Sequence, residues 1–88
     1  MIKITNATYC REQTIKLEFS DGTWGEYNFS KLFIPETALT GPLRSETEFA
    51  RFFLELGALC WPNGLEIGAS SLQTRLRNAK ALNSSQVA

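Results

Sequence analysis

Ala58-Leu59-Cys60-Trp61-Pro62-Asn63-Gly64-Leu65-Glu66-Ile67 is the stretch from which the fold is read. Four apolar residues lead into Pro62, which cannot donate to a sheet ladder, and then into an Asn-Gly pair that tolerates positive φ. A strand is therefore predicted to end at Trp61, with a tight turn after it. The chain re-enters through Leu65-Glu66-Ile67, whose alternation sets Leu65 and Ile67 on one face and Glu66 on the other. Trp61 reads as a core residue, because aromatic side chains supply much of the apolar area of a small domain.

Toward the N-terminus the same period of two recurs. Ile2 and Ile4 alternate with Lys3 and Thr5, so residues 2–9 read as a strand, followed by Cys10-Arg11-Glu12-Gln13 as a polar connection. Thr14-Ile15-Lys16-Leu17-Glu18-Phe19 alternates cleanly, with Ile15, Leu17 and Phe19 turned inward. Thr23 to Phe29 alternates as well, and parity decides the loop between them. A two-residue Asp21-Gly22 loop would put Glu26 and Asn28 on the face of Leu17 and Ile15. A three-residue loop, Ser20-Asp21-Gly22 with Gly22 left-handed, sets Ile15 opposite Tyr27 and Lys16 opposite Glu26. Shifting the loop to Asp21-Gly22-Thr23 would oppose Glu18 and Glu26, two like charges. The register with Gly22 last is the one predicted, and it turns Trp24 outward beside Glu26 and Asn28.

Residues 30–44 hold Pro35, Gly41 and Pro42 around Leu32-Phe33-Ile34, which suits a partly buried irregular segment. Ser45-Glu46-Thr47-Glu48 fits a capping box at a helix start. Phe49, Phe52, Phe53 and Leu56 have helical spacing, yet Phe52-Phe53-Leu54 reads equally as a strand that turns through Glu55-Leu56-Gly57. Ser70-Ser71-Leu72-Gln73 is a second capping box, opening a helix whose apolar stripe is Leu72, Leu76, Ala79 and Leu82. A single domain over residues 1–82 is expected, with a polar end from Asn83 to Ala88 that frays.

Composition narrows the chemistry. Nine basic and nine acidic residues cancel, which removes the phosphate-neutralising attraction behind sequence-independent nucleic-acid binding. The chain has no histidine, so no Ser-His-Asp triad, Cys-His pair or histidine metal ligand exists. Its carboxylates are scattered through polar and turn positions, a pattern that points away from an enzyme. Cys10 and Cys60 are too far apart for a zinc motif or a redox pair and read as two reduced thiols, and the start has no signal-peptide pattern. A cytoplasmic protein without cofactor or membrane partner is expected.

With Phe19-Ser20-Asp21-Gly22, Gly41-Pro42-Leu43-Arg44 before Glu48-Phe49, and Trp61-Pro62-Asn63-Gly64-Leu65-Glu66-Ile67 in place, the chain resembles a small bacterial family, domain of unknown function 2442. The resemblance runs from about Ile2 to Leu72, and it departs where the family usually has aspartate at Asn28 and Glu66 and a proline near Gly68-Ala69. It implies an α+β domain: a small antiparallel sheet of four to five strands, a short helix near Ser45, a hairpin before Trp61 and a C-terminal helix. The hairpin favours the strand reading of Phe52 to Leu54. Such domains occur alone, fused to helix-turn-helix domains, or beside another small protein in toxin-antitoxin-type pairs, and the family carries no catalytic residues to transfer.

The charge is unevenly divided. Up to Ile67 six basic residues face nine acidic ones, while Arg75, Arg77 and Lys80 follow with no acid. Trp24, Glu26 and Asn28 on the sheet, and Arg75, Arg77 and Lys80 on the last helix, are the candidate partner-binding residues. The expected partner is another small protein, in an antitoxin-like pairing, or a second copy of the chain. A transcriptional regulator that contacts nucleic acid through the basic helix is the less favoured alternative.

The hairpin register makes a prediction. With Gly22 left-handed, Gly22→Ala adds a disfavoured Cβ, and the mutant should lose on the order of 1 kcal/mol in a denaturant melt. An unchanged midpoint counts against the three-residue loop.

Overall fold

Ile15, Leu17 and Phe19 point inward as their alternation requires, and the sheet around them is built by pairing the strands on either side of them. In a computed structural model of the chain, residues 1–33 and 37–84 are described. Ile34, Pro35 and Glu36 lie outside the described residues, as does the tail over residues 85–88. The order is β1 (Ile4–Arg11), β2 (Thr14–Phe19), β3 (Thr23–Asn28), a 3-10 turn (Gly41–Arg44), α1 (Glu46–Phe49), β4 (Phe53–Glu55), β5 (Ala58–Cys60), β6 (Glu66–Ile67), α2 (Ala69–Asn78) and β7 (Asn83–Ser84). The fold is α+β. One antiparallel sheet runs β1-β2-β3-β7 and a second, smaller one runs β4-β5-β6.

The β2–β3 hairpin has the predicted register. Ile15 pairs with Tyr27, Lys16 with Glu26 and Glu18 with Trp24. Gly22 has φ 89°, and its N–H donates to the Phe19 carbonyl at 3.0 Å.

The other two hairpins correct the sequence reading. The first strand begins at Ile4 and runs to Arg11, because Glu12 and Gln13 alone make the turn, with φ of 44° and 65°. Residues before Ile4 are held differently: the Lys3 N–H donates to the Ser20 hydroxyl, and the Ser20 N–H donates to the Lys3 carbonyl. In the small sheet Glu55 pairs with Ala58, so the turn is Leu56-Gly57 and not the three-residue loop expected. Both residues again have positive φ, 52° and 81°. Two-residue turns with two left-handed residues match the twist of the flanking strands, and tertiary pairing holds them even where the residues are not glycine or asparagine. The strand reading of Phe53 and Leu54 holds, and β5 stops at Cys60, one residue before Trp61.

Neither capping box forms. Ser45 occupies the N-cap position of α1 without a side-chain hydrogen bond, and α2 starts at Ala69 with Gly68 as its N-cap. Burial of Ala69 in the core draws the helix start two residues ahead of Ser71. Gln73, read as a capping residue, is instead buried at 8% exposure and donates from Nε2 to Asp21 Oδ2 and to the Thr23 hydroxyl, both at 2.9 Å. The far end of the stripe also changes. Ala79 is exposed, and the helix closes with Lys80 N–H donating to the Arg77 carbonyl and Ala81 N–H to that of Leu76. These two bonds, with Lys80 at φ 58°, form a Schellman cap in which lysine takes the usual place of glycine. The polar end is ordered as far as Ser84, because β7 pairs Asn83 with Trp24 and Ser84 with Thr23.

One core gathers the inner faces of both sheets and both helices, including Ile15, Leu17, Phe29, Phe49, Leu59, Trp61, Leu72 and Leu76. Trp61 is 1% exposed, and its indole N–H donates to the Phe49 carbonyl at 2.8 Å. Trp24 is half-buried on the opposite side of the large sheet and contributes nothing to the core. Trp61→Ala should therefore unfold the domain, since truncating a buried aromatic costs about 3–5 kcal/mol. Trp24→Ala should keep a cooperative melt close to that of the parent, and an equally damaged Trp24→Ala means that a second subunit covers that face.

Candidate functional site

Polar residues alternate with the core positions along β1 to β3 and make the outer face of the large sheet: Asn6, Thr8, Lys16, Glu18, Trp24, Glu26 and Asn28. None of them belongs to the core among the described residues. Trp24 is the large apolar exception, and the Lys16 ammonium lies 4.9 Å from its ring centroid. A cation over an indole face is attracted by the ring quadrupole, which holds the two side chains together. Asn6 donates to Glu18 at 2.8 Å, and Arg11 pairs with Glu26 at 3.8 Å.

At the side of this face β3 meets the C-terminal end of α2. Gly25 permits the approach: a Cβ there would lie 2.6 Å from the Ala81 carbonyl oxygen and 3.1 Å from the Leu76 methyls. Beyond this contact the two elements diverge and leave a cleft of about 700 Å³, whose lining includes Glu26, Tyr27, Asn28, Lys31, Arg75 and Leu76. The fold thus unites Glu26, Asn28 and Arg75, three of the six residues expected to bind a partner. Trp24, Arg77 and Lys80 do not line the cleft. Arg77 is exposed elsewhere on α2, and Lys80 lies past the end of the helix, in its cap. Asn28 is partly occupied, since its Oδ1 accepts from the Ser30 N–H at 2.9 Å and from the Ser30 hydroxyl at 2.6 Å.

Lys31 is the residue that sequence reasoning missed. It sits in a segment without periodicity, and only the return of α2 places it near Arg75. Neither cation makes a hydrogen bond or ion pair among the described residues.

Three other titratable groups are shifted by their surroundings. Asp21 has its carboxyl held below the usual aspartate range by the Thr23 hydroxyl at 2.6 Å first, then by the Thr23 N–H at 3.0 Å, with Gln73 adding to them. Burial pushes the Cys60 thiol up, and the nearby Glu66 and Glu55 push it further, which suppresses the thiolate. The Tyr9 phenol is raised chiefly by its hydrogen bond to the Glu46 carboxylate, a contact that ties β1 to α1. Cys10 and Cys60 are both free thiols. Among the described residues no cluster of three or more Cys, Asp or Glu is placed to hold a metal ion, and no helix is long and apolar enough to cross a membrane.

Residues 4–78 match the model of a family described as a protein of unknown function, DUF2442. The chain belongs to this family. The match covers β1 through the last residue of α2, so the large sheet, the Trp61 turn and the helical wall of the cleft all fall inside the DUF2442 region. No curated protein and no solved structure matches the chain.

The Asp21 clamp makes the site's geometry sensitive to acid. A carboxyl depressed in the folded state contributes stability that is present above its unfolded value, about 3.9, and is lost as pH falls through the folded value. Urea midpoints should accordingly separate the parent from Asp21→Asn at neutral pH and converge below about pH 4. A gap that stays constant with pH would show that the carboxylate charge is not what holds α2 to the hairpin.

Proposed function

We propose that this chain is a non-enzymatic protein-interaction module of the cytoplasm, the antitoxin-like half of a pair with another small protein. The observation that carries this reading is Trp24, a large apolar side chain held half-buried under Lys16 on a sheet face that supplies nothing to the core. Tryptophan on an otherwise polar face is the kind of anchor that dominates protein interfaces, because it offers much area for few lost rotamers. Free thiols suit a reducing compartment. Charge division supports a protein partner as well: Arg75 and Arg77 are exposed on α2 and Lys80 follows it, while the domain up to Ile67 is acidic on balance. Three cations attract an acidic protein surface at long range but are too few for tight non-specific hold on DNA.

The test starts with affinity capture from the native host and mass spectrometry, then measures binding of the purified partner directly. Changing Arg75, Arg77 and Lys80 together to glutamine should leave the melt unchanged and weaken the complex, with the deficit largest at low salt. Unaltered affinity at low salt removes the helix from the interface, and a complex abolished by nuclease transfers the function to nucleic acid.

A further inference from the structure

We infer that the cleft between β3 and α2 receives an extended acidic segment of the partner protein as an added strand, paired to β3 at Glu26 and Asn28, with a carboxylate between Lys31 and Arg75. This deepens the interaction-module reading and rests on it.

The first support is an unfinished ladder. β3 spans Thr23–Asn28, but β7 pairs only with Thr23 and Trp24. Main-chain direction alternates along a strand, and two contacts fix its phase. Phe29 donates its N–H to the Gln13 carbonyl at 2.8 Å, on the β2 side. On the other side the Trp24 carbonyl accepts from the Asn83 side-chain amide at 3.4 Å. Glu26 and Asn28 share the phase of Trp24, so their N–H and C=O groups face the cleft. No described residue pairs with them.

The chain's own C-terminal segment does not fill this edge. In the antiparallel register of Thr23 with Ser84 and Trp24 with Asn83, extending β7 toward Glu26 would require Leu82 and Ala81 at the edge. Ala81 is instead tied back to helix α2, its N–H donating to the Leu76 carbonyl at 2.9 Å. Its carbonyl lies over Gly25, on the core side of the sheet.

Chemistry then selects the occupant. A row of alternating donors and acceptors two residues apart is satisfied by another peptide backbone, whereas phosphate and the DNA backbone offer acceptors only and RNA adds just its 2′-hydroxyl as a donor. Lys31 and Arg75 line the same cleft without anionic partners among the described residues, whereas Glu26, the acid of the lining, already pairs with Arg11. An acidic side chain on the incoming strand supplies the missing anion, and Tyr27 and Ala79 offer apolar surface to its neighbours. A second copy is disfavoured by charge, since pairing β3 with β3 would bring two sets of the same cations together.

The probe is an acetylated Thr-Val-Glu-Val-Thr peptide, titrated into the full chain with backbone amide NMR as the readout. Shifts are expected at the Glu26 and Asn28 amides. Affinity should fall at least about tenfold for the peptide with lysine in place of glutamate, for a peptide N-methylated at its edge-facing amides, and for Lys31→Glu or Arg75→Glu proteins that melt like the parent. The inference is overturned if the Glu26 and Asn28 amides do not shift. It is equally overturned if the N-methylated peptide binds as well as the original, which would leave an anion subsite without a strand, or if those amides shift with protein concentration alone, which would make the edge a homodimer contact. Failure of the peptide alongside a native complex still weakened by the triple glutamine change removes the added strand and leaves the interaction module standing. Peptide binding at this edge combined with no protein partner from the host defeats both.

Discussion

The Trp61 indole sits where the two sheets and the first helix meet, and its contacts make them one body. The rings of Phe29, Phe33, Phe49 and Phe52 surround it at centroid distances of 5.9, 6.0, 5.7 and 6.5 Å, mostly edge to face. Phe29 follows β3, Phe49 ends α1, and Trp61 follows β5. Each such pair adds about 0.5–1.5 kcal/mol beyond area burial when the ring quadrupoles are offset in this way. The indole N–H would cost about 1–3 kcal/mol if buried without an acceptor, and the Phe49 carbonyl provides one at 2.8 Å. Pro62-Asn63-Gly64 serves the same end. The turn bonds Gly64 N–H to the Trp61 carbonyl and Trp61 N–H to the Leu65 carbonyl, so the backbone that presents the ring is satisfied on both sides.

A second constraint sets α2 against the large sheet. Leu72 and Leu76 bury its apolar side, the absence of a side chain at Gly25 lets Leu76 and Ala81 approach β3, and Gln73 ties the first half of the helix to Asp21 and Thr23. These contacts fix the helix at one end of β3 and leave the other end open. The cleft is thus a consequence of packing: the chain returns to the edge only at Asn83 and Ser84, too late to cover Glu26 and Asn28. The groups that line the cleft and the core contacts are consequently coupled through the same helix.

Much of this architecture was legible in the residues. The period of two placed Ile15, Leu17 and Phe19 in the core, and parity in the β2–β3 hairpin selected the Gly22 loop and turned Trp24 outward. Turns were less legible wherever a non-glycine takes positive φ. Glu12, Gln13, Leu56 and Lys80 are not residues that favour the left-handed region; pairing of the flanking strands holds the first three there, and the cap closed on Arg77 and Leu76 holds Lys80. The capping box at Ser70 failed for a related reason, since burial of Ala69 and Gln73 outweighs what a serine cap contributes.

Sequence by itself determined the α+β class, the inward strand faces, the role of Trp61 and the division of charge between an acidic domain and a basic end. The class is what the family resemblance implies; the rest follows from short-range periodicity and from what single residues cannot do, such as proline donating to a ladder. Tertiary structure alone decided which of the candidate residues meet. Arg75 is remote in the chain from Glu26 and Lys31 and shares a cleft with them only because Gly25 admits α2 against β3. Proximity of that kind is set by how far two packed elements can approach, a quantity that depends on volume and long-range contact and is not written in local pattern.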